Sequence, residues 1–179
     1  LTARSNGSLE TTWLPNDDQT GRDRGLIQFN HFTAINSNWC TSANLNQVSD
    51  RQYFSDFGQS LNSTSLSLLA SQAGIYGRGR NWSASFGFEY WQVANPLLPD
   101  GNAPFRRLPR LQASWMKPVS NWFEFGIDAE AVRYTRDDVN SSGDGGSRID
   151  IQPFVRLPFS GASWYVTPEI AWRFTQYDG

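Results

Sequence analysis

"NWSASFGFEYW", residues 81–91, alternates residue by residue. Its even positions Trp82, Ala84, Phe86, Phe88 and Tyr90 are apolar, and its odd positions Asn81, Ser83, Ser85, Gly87 and Glu89 are small or polar. A period of two places the two sets on opposite faces of a β-strand. The same rule recurs downstream. From Asn121, the residues Phe123, Phe125, Ile127, Ala129 and Ala131 share one parity, and Glu124, Gly126, Asp128 and Glu130 the other. From Ser147, Ile149, Ile151, Val155 and Leu157 alternate with Arg148, Asp150, Gln152 and Arg156. From Ala162, Trp164, Val166, Ile170 and Trp172 alternate with Ser163, Tyr165, Thr167, Glu169 and Arg173.

Weaker copies of the template fall near 6–14, 24–35, 38–48, 64–76 and 106–116. The expectation is an all-β chain, an antiparallel up-and-down meander of about nine long strands. The only helix candidate is a single turn within 50–58. Connections alternate in length. Long polar ones are expected near 15–23, 49–61, 94–105 and 136–147, and short ones near 36–37, 77–80, 117–120 and 159–161. A meander with all its long loops at one end gives this pattern, as in transmembrane barrels with long extracellular loops and tight periplasmic turns.

Composition points the same way. Aromatics make up 15% of the 179 residues, yet mean hydropathy is negative, so the apolar content sits in one face rather than in a core-forming excess of aliphatics. No window approaches the roughly 18 consecutive apolar residues of a transmembrane helix. The polar parity carries Ser, Asn, Gln, Gly and charges of both signs, as a hydrated lumen would. Trp and Tyr gather toward strand ends (Trp13, Trp39, Trp82, Tyr90, Trp115, Trp164, Trp172), as aromatic girdles do. Arg133 falls on the lipid-facing parity near the long-loop end, where its head can reach the interface. The first residues, "LTARSNGSLETT", contain neither an apolar h-region nor a cleavage site, so no signal peptide is expected in this stretch. Single-chain barrels usually have an even strand number, and open edges are not tolerated in hydrocarbon. Residues 1–179 are therefore expected to be a partial outer-membrane barrel domain, a consecutive piece of a larger transmembrane β-barrel.

Other chemistries find little support. The single Cys40 cannot form an internal disulfide, and the lone His31 cannot build a histidine-rich zinc site. A net charge of −2 gives no basic field, so no nucleic-acid partner is expected. Fourteen of the fifteen basic residues are Arg, whose fork suits phosphate and carboxylate, although composition bias explains that count as well. "NDDQTG" at 16–21 and "DVNSSG" at 138–143 resemble calcium loops, but the required terminal Glu is Ile27 in one and Ile149 in the other. Turn chemistry accounts for both. His31 alternates outward with Ile27 and Phe29, away from any serine it could activate. "GRGRN" at 77–81 lacks the strand–loop–helix setting of a phosphate loop. The sequons at Asn62 and Asn81 are chance matches. No enzyme activity, cofactor or metal is expected.

One segment is more specific. "VSDRQYFSDF", residues 48–57, follows "RDRGLIQFNH" at 22–31 and "WLPND" at 13–17. With "TRDD" at 135–138 and "IQPFVRLPF" at 151–159, the order of motifs resembles the barrel domain of the LptD family, the lipopolysaccharide-assembly or organic solvent tolerance proteins. The resemblance covers essentially the whole chain. It implies a very large barrel of about 26 strands in the outer membrane of a Gram-negative bacterium, which inserts lipopolysaccharide into the outer leaflet without catalysis. It implies as partners lipopolysaccharide, the LptE lipoprotein plug, outer membrane lipids, and a periplasmic transport bridge reached through a domain absent here. Lipid would leave between the first and last strands, and the family's disulfide cysteines do not match Cys40.

On this reading Arg24, Ser49, Asp50, Tyr53, Phe54, Asp56 and Phe57 form a loop-sealing family motif. Asp50 and Asp56 are expected to bond loop backbone, and the aromatics to pack the loop over the lumen. Arg110, Glu124, Asp128, Glu130, Arg148, Arg156 and Arg173 are expected to line the lumen. The alternatives are a generic porin, in which the same charges select solutes, and a soluble carbohydrate-binding β-protein.

Overall fold

The computed structural model describes residues 4–58, 67–99, 103–136 and 145–179. Its strands are β1 (Ser5–Asp17), β2 (Arg22–Ala34), β3 (Trp39–Val48), β4 (Leu68–Arg78), β5 (Trp82–Val93), β6 (Arg106–Ser120), β7 (Phe123–Thr135) and β8 (Gly146–Arg156). Four short pieces follow: β9 (Phe159–Ser160), β10 (Tyr165–Val166), β11 (Glu169–Ala171) and β12 (Phe174–Asp178). A five-residue helix, α1 (Tyr53–Phe57), lies between β3 and β4, inside the span where a single helical turn is expected. Strands β1 to β8 pair antiparallel in chain order, and β11 and β12 both pair with β8. No helix among the described residues is long and apolar enough to cross a membrane, which leaves β-barrel crossing open.

The four short pieces belong to one hairpin with β8. Phe159 faces Val166, Arg156 faces Glu169 and Ile151 faces Phe174, a single unbroken register. The ladder is interrupted at two places for one reason. Trp172 N–H donates to Pro153 O at 3.0 Å, and Leu157 N–H donates to Pro168 O at 2.9 Å. In each pair the proline has no N–H to return. The turn closes through Gly161 N–H to Trp164 O at 2.8 Å, and the first long hairpin after β4 closes alike, through Gly79 N–H to Trp82 O at 2.8 Å. Among the described residues the meander thus has nine strands, the ninth broken by proline chemistry.

Several boundaries differ from the sequence expectation. The connection near 15–23 is no long loop. β1 runs to Asp17 and β2 starts at Arg22, joined by a tight turn in which Asp17 O accepts Gly21 N–H at 2.7 Å. Gly21 sits at φ 64° and Asn16 at φ 47°, left-handed values that Gly and Asn tolerate best. Residues 117–120 are strand, and Asn121–Trp122 make the turn. Trp172 faces Pro153 within the pairing rather than at a strand end. The start of the expected strand at 64–66, the Asn62 sequon, the 138–143 loop and parts of the 49–61, 94–105 and 136–147 connections lie outside the described residues.

Register fixes the two faces. Ile75 faces Phe86, Phe86 faces Leu111, Ala131 faces Ile149, and Ile151 faces Phe174, all on one side. This side stays exposed across the sheet, with Leu9, Ile27, Phe86, Leu111, Ile149 and Phe174 bare. Trp39, Trp82 and Trp115 mark its short-turn end, the rings of Trp39 and Trp82 lying 5.4 Å apart. Buried apolar side chains are few. Six of the nine among the described residues gather at the long-loop end around α1, where Leu26, Val48, Tyr53, Phe54, Leu69 and Ala94 form one cluster, with Val93, Val132 and Phe154 outside it.

Candidate functional site

The opposite, polar face carries a ladder of ion pairs. Its hub is Glu89 on β5, whose carboxylate meets Arg107 at 2.8 Å and Arg110 at 2.9 Å on β6. Arg110 passes the chain on to Glu130 of β7 at 2.7 Å, and Glu130 also pairs with Arg148 of β8. Arg173 grips Asp150 through Nε and Nη2, at 2.9 and 2.6 Å, and Thr175 Oγ1 donates to the same carboxylate at 3.2 Å. Nearer the short turns, Arg156 binds Glu169 at 2.6 Å and Glu124 at 3.8 Å. Cross-strand neighbours on one face are close enough to pair in this way. All seven residues expected on a common face, Arg110, Glu124, Asp128, Glu130, Arg148, Arg156 and Arg173, lie on it. Asp128, opposite Ser114 and Gln152, makes no ion pair or hydrogen bond among the described residues.

Sequence reasoning named Arg110, Arg148, Arg156 and Arg173 but not Arg107, and it missed three of their partners, Glu89, Asp150 and Glu169. Their parity signalled the shared face. Their pairing needed the register, which a bulge shifts between Gly87 and Glu89. Cys40 is a free thiol on this face, opposite Ala34 and Tyr76. His31 lies on the apolar side, where Nε2 is 2.8 Å from Thr33 Oγ1.

The second constellation centres on Arg24, only 2% exposed. Its Nε and Nη2 hold Asp50 in a two-point grip at 2.8 and 3.0 Å. Its Nη1 reaches Asp56 at 2.8 Å and Asp17 at 3.3 Å, and its guanidinium lies 4.6 Å from the centre of the Phe57 ring. A planar five-donor fork can serve three carboxylates and an aromatic face at once. Asp50 Oδ1 also accepts Gln52 N–H at 2.9 Å, and Oδ2 accepts Ser49 Oγ–H at 2.8 Å. Burial pushes the Asp50 carboxyl up, but Arg24, Ser49 and the Gln52 amide together outweigh it and hold it below its ordinary value. Gly25 N–H donates to Ser49 Oγ at 3.1 Å, tying the loop to β2 a second time.

The loop aromatics seat α1. Phe54 is 6% exposed, against Leu26, Val48, Leu69 and Ala94. The Tyr53 hydroxyl lies 2.5 Å from Thr12 Oγ1 of β1, and its ring lies 5.2 Å from that of Phe57. The expectation for Asp56 needs correction: its hydrogen bonds run to Arg24 and the Ser55 hydroxyl rather than to loop backbone. A buried guanidinium is a stronger donor than a solvated amide, so it captures the carboxylate. Asp17 does more than the turn chemistry its sequence suggests. It does bind Gln19 N–H at 3.2 Å and Thr20 Oγ–H at 2.9 Å, and it also completes the Arg24 cluster.

The family model described as LPS transport system D matches residues 22–179. A protein named LPS-assembly protein LptD from Xylella fastidiosa is 38% identical over 182 residues, covering 92% of this chain and 23% of that protein. Proteins of the same name from Xanthomonas oryzae pv. oryzae and Xanthomonas campestris pv. campestris are 36% and 34% identical over 96% of this chain, and 25% and 24% of theirs. The chain spans about a quarter of the length of these curated relatives.

Proposed function

The chain belongs to the LptD family, and from that premise we propose that it forms a sector of the wall of an outer-membrane barrel that inserts lipopolysaccharide into the outer leaflet. One observation carries the reading. Among the described residues, a nine-stranded meander leaves a largely apolar face bare on one side and presents an ion-paired polar face on the other. A soluble sheet buries its apolar face, whereas a lipid-facing wall leaves it bare and turns its polar face to a hydrated lumen. In this reading Arg110, Glu124, Asp128, Glu130, Arg148, Arg156 and Arg173 line the lumen, where an LptE plug would sit. α1, fastened by Arg24 to Asp50 and Asp56, closes the long-loop end beside it. Residues 1–179 are one part of the barrel domain, and the periplasmic bridge is met elsewhere in the full protein.

Positioning and electrostatics, not bond chemistry, are what these residues supply. Each charge on the polar face other than Asp128 that the sequence singles out has an opposite charge within reach, which suits a rigid, wet wall. Depletion of the full-length protein in its bacterium is expected to remove lipopolysaccharide from the cell surface. A change confined to the uptake of small solutes would establish the porin reading instead. Extraction of the folded protein without detergent would overturn both in favour of a soluble sheet.

A further inference from the structure

The backbone ladder between β3 and β4 stops early. Pairing runs from Trp39 opposite Gly77 to Asn44 opposite Gln72, yet β3 continues to Val48 and β4 begins at Leu68. Over the unpaired stretch both strands keep their other neighbours. Val48 still pairs with Leu26 of β2, and Leu68 with Val93 of β5. The gap is therefore confined to one seam.

Side chains fill it. Ser71 Oγ accepts Asn46 N–H at 2.8 Å and donates to Asn46 O at 2.9 Å. Asn46 Nδ2 donates to Ala70 O at 2.8 Å. Gln92, on β5, reaches past the start of β4: its Oε1 accepts Val48 N–H at 3.0 Å and its Nε2 donates to Val48 O at 2.7 Å. A primary carboxamide thus supplies Val48 with the same donor–acceptor pair that a neighbouring strand would. Asn46 and Val48 are the residues whose backbone groups continue the alternation of Ser42 and Asn44 toward β4. The substituted bonds satisfy buried polar groups, but each depends on a rotamer rather than on a chain held by both its neighbours.

The loop helix stands on the same seam. Val48 and Leu69, one from each side, belong to the cluster that seats Tyr53 and Phe54. Ser49 and Asp50, which follow Val48 directly, are the residues fastened to Gly25 and Arg24. Anything that lifts α1 pulls on the strand whose ladder is already replaced by side chains.

We propose that the upper β3–β4 seam is a side-chain latch, and that it and α1 open together as one local unit while the Trp39–Asn44 ladder stays closed. Ser71 and Gln92 are the latch and Arg24 is its anchor. This goes beyond the wall-and-cap reading, because it assigns a weak line within the wall and holds whatever the barrel carries.

Amide hydrogen exchange on the detergent-solubilised full-length protein, resolved by residue-level fragmentation, tests it. In the unmodified protein, Val48 and the α1 amides are expected to exchange with matching rates, about tenfold or more faster than Ser42 and Asn44. Gln92→Ala should raise exchange at Val48 by about another tenfold without moving Asn44. Arg24→Lys should raise α1 and Val48 together. Protection of Val48 equal to that of Asn44 in the unmodified protein would overturn the proposal, and that measurement needs no variant to fold. Faster exchange at α1 alone on weakening Arg24 would overturn the coupling.

Discussion

Arg24 shows how much one side chain can organise when burial and geometry agree. Its charge is almost fully removed from water, and three carboxylates with one ring occupy its donors and its face. A buried cation contributes specificity only while its partners stay in place, and removing one side of such a cluster leaves uncompensated charge. Arg24→Ala should therefore loosen α1 by about 3 kcal/mol, the lower end for a broken buried pair because Asp50 and Asp56 keep some solvent. Limited proteolysis of the α1 loop in the folded full-length protein reads this directly. Arg24→Lys should recover part of the protection, since one ammonium cannot hold Asp50 at two points. The same cluster predicts an acid response. Asp50 is held below its ordinary value, so its contribution is fully present above about pH 4 and is lost as pH falls through the depressed value. Protection of the loop should be flat between about pH 5 and 8, decline only below about pH 4, and decline less steeply in Asp50→Asn.

At the scale of the strand, alternation made the faces legible, because a period of two is written into each residue's neighbours. The parity of Phe86, Ile127 and Ile151 on one side, and of Glu130 and Arg148 on the other, needed no partner to be read. What sequence could not supply was register and termination. Pro153 and Pro168 keep their residues in line while deleting a ladder bond, so the ninth strand reads as whole in sequence and is broken in hydrogen bonding. Arg24 and Asp56 lie 32 residues apart, and only the β2–β3 pairing brings them together. Gly126 is a further case. In sequence it is merely small and polar-facing, yet it lies opposite Phe154, whose ring covers it and leaves no room for a Cβ. Phe154 is 6% exposed there, with the Arg156 guanidinium 5.2 Å from the centre of its ring. Gly126→Val should force that ring out and cost about 1–3 kcal/mol, as overpacking does. A lowered unfolding temperature of the barrel on heat-shift gels checks it. Phe154→Ala in the same protein should relieve most of the added strain, while a loss that persists in the double variant would place it in the backbone of β7.

Across the whole sheet the two faces make opposite demands of a single kind of side chain, and adjacent residues on β8 expose the difference. Ile151 points to the apolar side opposite Ala129 and Phe174, and Gln152 points to the polar side opposite Asp128. Both lie within the same pairing, so they share depth and neighbours along the chain. An arginine on a lipid-facing barrel position near the midplane costs about 2–4 kcal/mol, because its charge leaves water for hydrocarbon. On a hydrated wall the same residue keeps its water. At position 152 it would also face Asp128, a carboxylate without an ion pair among the described residues. Ile151→Arg is therefore expected to reduce the folded, heat-resistant barrel recovered from outer membranes severely. Gln152→Arg should leave it within the roughly 0.5 kcal/mol spread of ordinary surface substitutions. Equal loss in both would mean that neither face meets lipid, and the wall reading would fall with it. Loss confined to Gln152→Arg would invert the faces and put the ion-pair ladder outside.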